Sequence, residues 1–249
     1  MNSREPCQLI GILDDGWAGL GDAARARLTG CDLLIGARRT LELVAPHLPS
    51  RVEQRMMDGL LGRVPEWVRA ARGAGQSCAV LATGDPLCHG IASFLADKLG
   101  TTAITVHPAP STLQLAFARL GQSWQGATIV SVHGHDAGEW QAGAGPDHGL
   151  YPLMRATSQQ RLIGAFTSPA NSPDRIARAL ISAGLGDDFR MSVAARLALP
   201  DEVVHADLPL AEAASRSFAD PNIIVLARVG PPERRATFGF DDADFTQRA

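Results

Sequence analysis

Residues 80–90, VLATGDPLCHG, set an aspartate between a glycine and a proline at the point where an apolar run stops. The run at 78–82 is short, apolar and followed by glycine, which suits a strand buried on both faces. Beyond the loop, Ile91, Phe94, Leu95 and Leu99 recur at helical spacing up to Gly100. A polar loop at the carboxyl end of a parallel strand is where open α/β sheets bind ligands. The plainer alternative is a βα turn in which Asp85 caps a helix and Pro86 starts it. A second stretch, SVHGHDAGEW, places His133, His135 and Asp136 close together. At an extended strand end the two histidines lie on one side with no third ligand nearby, and zinc takes three or four protein ligands. No metal is therefore expected; the loop either hydrogen-bonds a ligand through backbone and imidazole groups or faces solvent.

Several other chemistries are excluded. The chain has no GxxxxGK[ST] phosphate loop, no GxSxG nucleophile elbow and no HExxH zinc helix. The glycines of GILDDGWAGLG do not follow the dinucleotide-binding order, and two aspartates there would face a pyrophosphate. A net charge of −3 with no long basic run lacks the electrostatic footprint of a nucleic-acid binder. The amino terminus offers only the short apolar run 9–13 before Asp14 and Asp15, neither a signal peptide nor a membrane span, so a cytoplasmic location is expected. Cys7, Cys31, Cys78 and Cys88 show no CxxC spacing and mostly lie in or beside apolar runs, as buried reduced thiols do.

The elements that must position these residues alternate. Strand patterns at 8–13, 31–35, 78–82 and 102–106 are separated by helical patterns at 22–28, 39–47, 66–72 and 91–99, which predicts parallel strands with intervening helices. Ser111 is a predicted N-cap for a helix ending at Gly121. A second set of strands is predicted at 127–132, 161–166, 189–195, 202–206 and 222–229, the last ones close enough to pair as antiparallel neighbours. Ser172 and Pro173 open a helix that stops at Gly184, and residues 136–149 read as a long flexible loop. Two α/β lobes follow, 1–110 and 111–230. Residues 231–249, with two prolines and alternating charge, read as a linker-like tail.

The order GILDDGWAGL, GARRTL, LATGDPLCHGI, HPAPSTLQLAFARLG, VSVHGHD and PNIIVLARV resembles the tetrapyrrole methylase family of cobalamin biosynthesis. Within it the pattern is most similar to the carbon-5 methylases, either free-standing or as the amino-terminal half of C5,15-methyltransferases that also decarboxylate. The resemblance covers residues 8 to about 230. It implies a two-lobed class III methyltransferase fold with mixed sheets and flanking helices, S-adenosylmethionine bound in a cleft between lobes, a tetrapyrrole substrate, and a homodimer. It further implies that Gly84, Asp85, Pro86, Ile91, Ser111, Thr112, Ser131, His133 and Asn222 lie on cofactor-lining segments. A side chain at Gly84 would obstruct the cofactor's approach, and Asp85 faces the cofactor's ammonium group or bonds its own loop amides.

The implied substrate carries carboxylates, which the planar fork of arginine matches; Arg38, Arg39 and Arg196, near strand ends, are the candidates. Methyl transfer to an enamine-like carbon requires no activated nucleophile, so no catalytic residue is assigned beyond His133 or Asp14 as a proton acceptor. The chain departs from the family pattern at Leu13-Asp14-Asp15, at Ala109-Pro110-Ser111-Thr112, and at Thr40, where histidine is frequent in the family. The tail matches the linker that leads to a second methyltransferase domain in the bifunctional members, so the chain is expected to be the amino-terminal module of a longer enzyme. Two alternatives stay open: a methylase of the same fold acting on another substrate such as ribosomal RNA, and a cofactor-binding module without turnover.

Overall fold

In the computed structural model, residues 5–141 and 143–230 are described; the predicted tail, 231–249, lies outside them. The elements run β1 (Cys7–Ile12), α1 (Asp22–Gly30), β2 (Leu33–Gly36), α2 (Arg38–Val44), β3 (Glu53–Met56), α3 (Val64–Gly73), β4 (Cys78–Thr83), α4 (Ile91–Leu99), β5 (Ile104–His107) and α5 (Thr112–Arg119). They continue with β6 (Thr128–Ser131), α6 (Tyr151–Thr157), β7 (Leu162–Phe166), α7 (Pro173–Ser182), β8 (Phe189–Ala195), β9 (Val203–Pro209), α8 (Leu210–Ala214) and β10 (Asn222–Arg228). The fold is α/β with two five-stranded sheets. No described helix is long and apolar enough to cross a membrane.

The first sheet has the order β3-β2-β4-β1-β5, and each neighbouring pair is parallel. Its central strands are almost wholly apolar because both faces are covered. On one face Ile10, Ile12, Leu34 and Leu81 pack with Leu28 of α1 and Leu41 and Val44 of α2. On the other, Leu9, Ile35 and Val80 pack with Val64 and Val68 of α3 and Leu95 of α4. The second sheet has the order β6-β7-β10-β8-β9, with β6 and β7 parallel and β7 and β10 antiparallel. Its core gathers Ile163, Phe189, Met191, Ile224 and Leu226 with Leu153 of α6 and Ile176 and Leu180 of α7.

The chain divides into two compact units. One holds the described residues through Ser123 together with Ala194–Val204; the other holds Trp124–Val193 and the described residues from His205 on. The expected division at 110/111 differs from this one: α5, assigned by sequence to the second lobe, belongs to the first unit. Ser111 caps α5 as predicted, its Oγ accepting from the Gln114 amide (3.1 Å) while the Gln114 side chain accepts from the Ser111 amide (2.8 Å). Three elements have no counterpart in the sequence pattern: β3, α6 and α8.

Candidate functional site

The helices after β1 and β4 leave on opposite faces of the first sheet, although these two strands are neighbours. Their carboxyl ends therefore define a topological switch point, where open α/β sheets leave a crevice. Three backbone segments converge there. A Cβ at Gly11, within β1, would lie 2.2 Å from the Gly84 carbonyl oxygen and 2.5 Å from the Ala109 amide nitrogen, so only glycine fits. Gly84, just past β4, has φ +66° and donates its amide to the Ile12 carbonyl (2.9 Å), tying the two strand ends together. A Cβ built on Gly84 would stand 3.4 Å from the Ser111 Cα and 3.6 Å from the Thr112 nitrogen. Gly84, Ser111 and Thr112 thus lie side by side, and it is Gly84's own dihedral that demands glycine there.

Asp85 does not cap a helix. Its Oδ1 accepts from the Leu87 amide (2.9 Å), closing a turn within the loop. The helix α4 begins at Ile91 behind Gly90, and Pro86 lies upstream of it with its carbonyl accepting from the Ala92 amide (3.1 Å). The helix-capping alternative for Asp85 and Pro86 is therefore corrected: the chain spends five more residues in turns before the helix starts. On the same loop, burial together with the Asp85 carboxylate pushes the Cys88 thiol up.

Elsewhere in the first unit, Asp14 and Arg39 form an ion pair, with the Asp14 side chain nearly buried and Arg39 half-exposed. The proton-acceptor candidate and one substrate-binding candidate are thus bonded to each other. Arg38 starts α2, its backbone amide held by Asp58 Oδ2 (2.7 Å) and its side chain exposed. Thr40 is buried, its hydroxyl donating to the Ala37 carbonyl (2.9 Å). Arg196, at φ +57°, pairs with Asp201 (3.0 Å).

In the second unit, Ser131 ends β6 and its Oγ lies 3.3 Å from His133 Nδ1. The segment that follows is irregular but fastened. Asn171, fully buried, donates through Nδ2 to the Val132 carbonyl (2.9 Å) and the Gly134 carbonyl (3.3 Å). Arg175 grips Asp136 (2.7 Å), and Arg178 bonds Glu139 (3.0 Å). The Arg175 guanidinium, helped by the Gly138 amide, holds the Asp136 carboxyl below its ordinary value. The expected free loop over 136–149 is therefore latched to the start of α7. His133 and His135 are exposed, and among the described residues no three His, Cys, Asp or Glu side chains converge as a metal-ligand set.

Asn222 opens β10 behind a cis Asp220–Pro221 bond, and its amide is occupied. Oδ1 accepts from Thr167 Oγ1 (2.6 Å), and Nδ2 donates to Ala219 O (3.1 Å) and Asp220 Oδ1 (3.0 Å). Because β10 runs antiparallel to β7 and β7 parallel to β6, Asn222 shares one sheet edge with Ser131. Sequence reasoning missed Gly11, Asn171 and Arg175. A glycine inside an apolar strand was a signal for the first; nothing local marks the other two as holding Val132, Gly134 and Asp136, each more than thirty residues away.

Comparison with known proteins places this geometry in context. The family described as tetrapyrrole (corrin/porphyrin) methylases matches residues 8–214. A precorrin-6Y C(5,15)-methyltransferase (decarboxylating) from Sinorhizobium sp. is 34% identical over 178 residues, 72% of this chain and 39% of that protein. The chain thus aligns with well under half the length of that relative. A cobalt-precorrin-7 C(5)-methyltransferase from Salmonella typhimurium is 26% identical over 196 residues, 75% of this chain and 87% of that protein. Among solved structures, uroporphyrin-III C-methyl transferase from Thermus thermophilus, complexed with S-adenyl homocysteine, shares the fold with a TM-score of 0.62 at 20% identity, covering 89% of this chain and 92% of that one. With its family match running from the first strand of the parallel sheet through α8, the chain belongs to the tetrapyrrole (corrin/porphyrin) methylase family.

Proposed function

We propose that this chain methylates ring carbon 5 of a corrin precursor of the precorrin-6Y or precorrin-7 type, using S-adenosylmethionine. The observation that carries the assignment is the convergence of Gly11, Gly84 and Ala109 at the switch point of the parallel sheet. These backbones lie in the family-matched region, and the two relatives described above share C5 methyl transfer in their names. The Thermus relative's complex with S-adenyl homocysteine supports the choice of cofactor.

The residues fit such a group. At Gly84 the loop presents backbone without a Cβ, beside the capped start of α5. Gly84, Asp85, Pro86, Ile91, Ser111 and Thr112 are the first unit's cofactor candidates; Ser131, His133 and Asn222 are the second unit's. When bound, the cofactor supplies an electrophilic methyl group on a sulfonium. The chain's own task is to orient and to exclude water, since the enamine-like substrate carbon is already nucleophilic. Arg38, Arg39 and Arg196 supply charge-assisted contacts to substrate carboxylates, Arg39 while also holding Asp14. His133, oriented by Ser131 Oγ, is the proton acceptor. No step needs a metal, and the chain acts as a cytoplasmic homodimer.

The test is incubation with methyl-labelled cofactor and a panel of cobalt-free and cobalt-containing precursors, with light scattering on the same sample. Label on carbon 5 from a dimeric species is expected. Cofactor binding with no label transferred to any tetrapyrrole would overturn the assignment.

A further inference from the structure

Past Ser131 the chain leaves the sheet, and every residue from His133 to Glu139 is exposed. Apolar packing therefore does not fix the segment that carries His133; polar bonds have to. Val132, the last buried side chain, still extends the parallel ladder by donating its amide to the Phe166 carbonyl (2.9 Å). Beyond it, the carbonyls on either side of His133, those of Val132 and Gly134, accept from one and the same nitrogen, Asn171 Nδ2. Arg175 and Arg178 take hold farther along, at Asp136 and Glu139.

Asn171 is built to serve as a fixed point. It is 1% exposed and lies in the turn between β7 and α7, where its amide donates to the Ser168 carbonyl (3.0 Å) and Oγ (3.2 Å). Because β6 and β7 are parallel, this turn stands at the same end of the sheet as Ser131. The space around Nδ2 is closed. A Cβ on Gly149 would lie 2.9 Å from it and 2.8 Å from the His135 carbonyl oxygen, and a Cβ on Gly134 would lie 3.0 Å from the Gly149 Cα. Two glycines thus let the backbone pass close enough for one buried amide to reach both carbonyls. An amide nitrogen carries two N–H donors, one for each; an ionised carboxylate of the same shape carries none.

We infer that Asn171 is the positioning residue for His133: by bonding the carbonyls on both sides of it, the buried amide sets where the imidazole stands, and it acts on methyl transfer through that ring. The catalytic half of this inference rests on the reading of His133 as the proton acceptor.

The test uses the full chain with carbon-13-labelled histidine. The His133 ring signal, assigned by its loss in His133→Ala, is followed at one fixed pH in two variants. Asn171→Asp keeps the shape and removes the paired donors; Gly149→Ala keeps the amide and crowds it, and decides the matter alone if the first does not fold. Both should move the His133 signal, whereas Arg178→Ala, which frees Glu139, should leave it in place. The same proteins are then assayed for methyl transfer to a precursor that accepts label. His133→Ala should lower kcat about 100-fold, and Asn171→Asp roughly tenfold or more. In the His133→Ala background Asn171→Asp should cost nothing further, the non-additivity of two residues acting as one. An unmoved His133 signal, an equal movement in Arg178→Ala, or losses that multiply in the double variant would each overturn the inference. Full activity in His133→Ala would instead remove His133 as the proton acceptor, and the ring signal would still decide whether Asn171 positions it.

Discussion

A side chain at Gly84 would have to adopt φ +66°, which costs an L-residue ~1–2 kcal/mol, but it would meet no atom closer than 3.4 Å. Gly11 poses the reverse problem: its conformation is ordinary, and a Cβ there would run into the backbone of two other segments. Backbone cannot rotate aside as a flexible side chain can, so Gly11→Ala has to push the β1 and β4 ends apart, with an overpacking cost of ~1–3 kcal/mol. Urea unfolding of the two alanine variants should therefore place Gly11→Ala below Gly84→Ala in stability. The opposite order would show that the strand ends separate freely. Asp85 illustrates how one side chain settles a local question, since a carboxylate oxygen bonded to the Leu87 amide shapes the loop and does not start a helix.

At the scale of elements, Arg119 at the end of α5 and Glu202 form an ion pair, and Glu202 Oε2 also accepts from the Ala198 amide (2.8 Å). These bonds, Arg119's first, hold the Glu202 carboxyl below its ordinary value despite desolvation. A lowered folded-state value means that the contribution to stability is present above the unfolded value of about 4.3 and is lost as pH falls through the folded one. Denaturant midpoints of wild type and Glu202→Gln should accordingly differ at neutral pH and converge on acidification; a gap that stayed constant would remove the ion pair as its cause. Most of the first sheet was legible because β1, β2 and β4 are almost wholly apolar and glycine or a capping residue punctuates the helices. β3 was not, because Glu53-Gln54-Arg55-Met56 is an edge strand that is mostly exposed and carries no alternation. α6 and α8, at seven and five residues, are too short to show helical periodicity. The candidate site was legible where it rests on local chemistry, as at Gly84 and Ser111. It was hidden where it depends on distant partners, as in the grip of Arg39 on Asp14 or of Asn171 on the Val132 carbonyl.

For the whole molecule, the proposed cofactor links binding to stability. A ligand that binds only the folded state adds ~2.7 kcal/mol at one hundred times its dissociation constant, and for a chain of this size each kcal/mol raises the unfolding midpoint by roughly 2–4 °C. S-adenosylhomocysteine at that excess should thus raise the midpoint by several degrees in wild type and by far less in Gly84→Val; no shift in the wild type at any concentration would sink the cofactor assignment. The division into units carries a different consequence. The first unit recruits Ala194–Val204, which follows the whole of Trp124–Val193 in the chain. Domains synthesised in order ordinarily fold from the amino end as they leave the ribosome. Here translation delivers the first unit's final piece only after some seventy residues of the other unit have emerged, so the earlier-made unit waits, incomplete, for the later one. A gene cut after the codon for Ser123 therefore splits the first unit itself, severing it from Ala194–Val204.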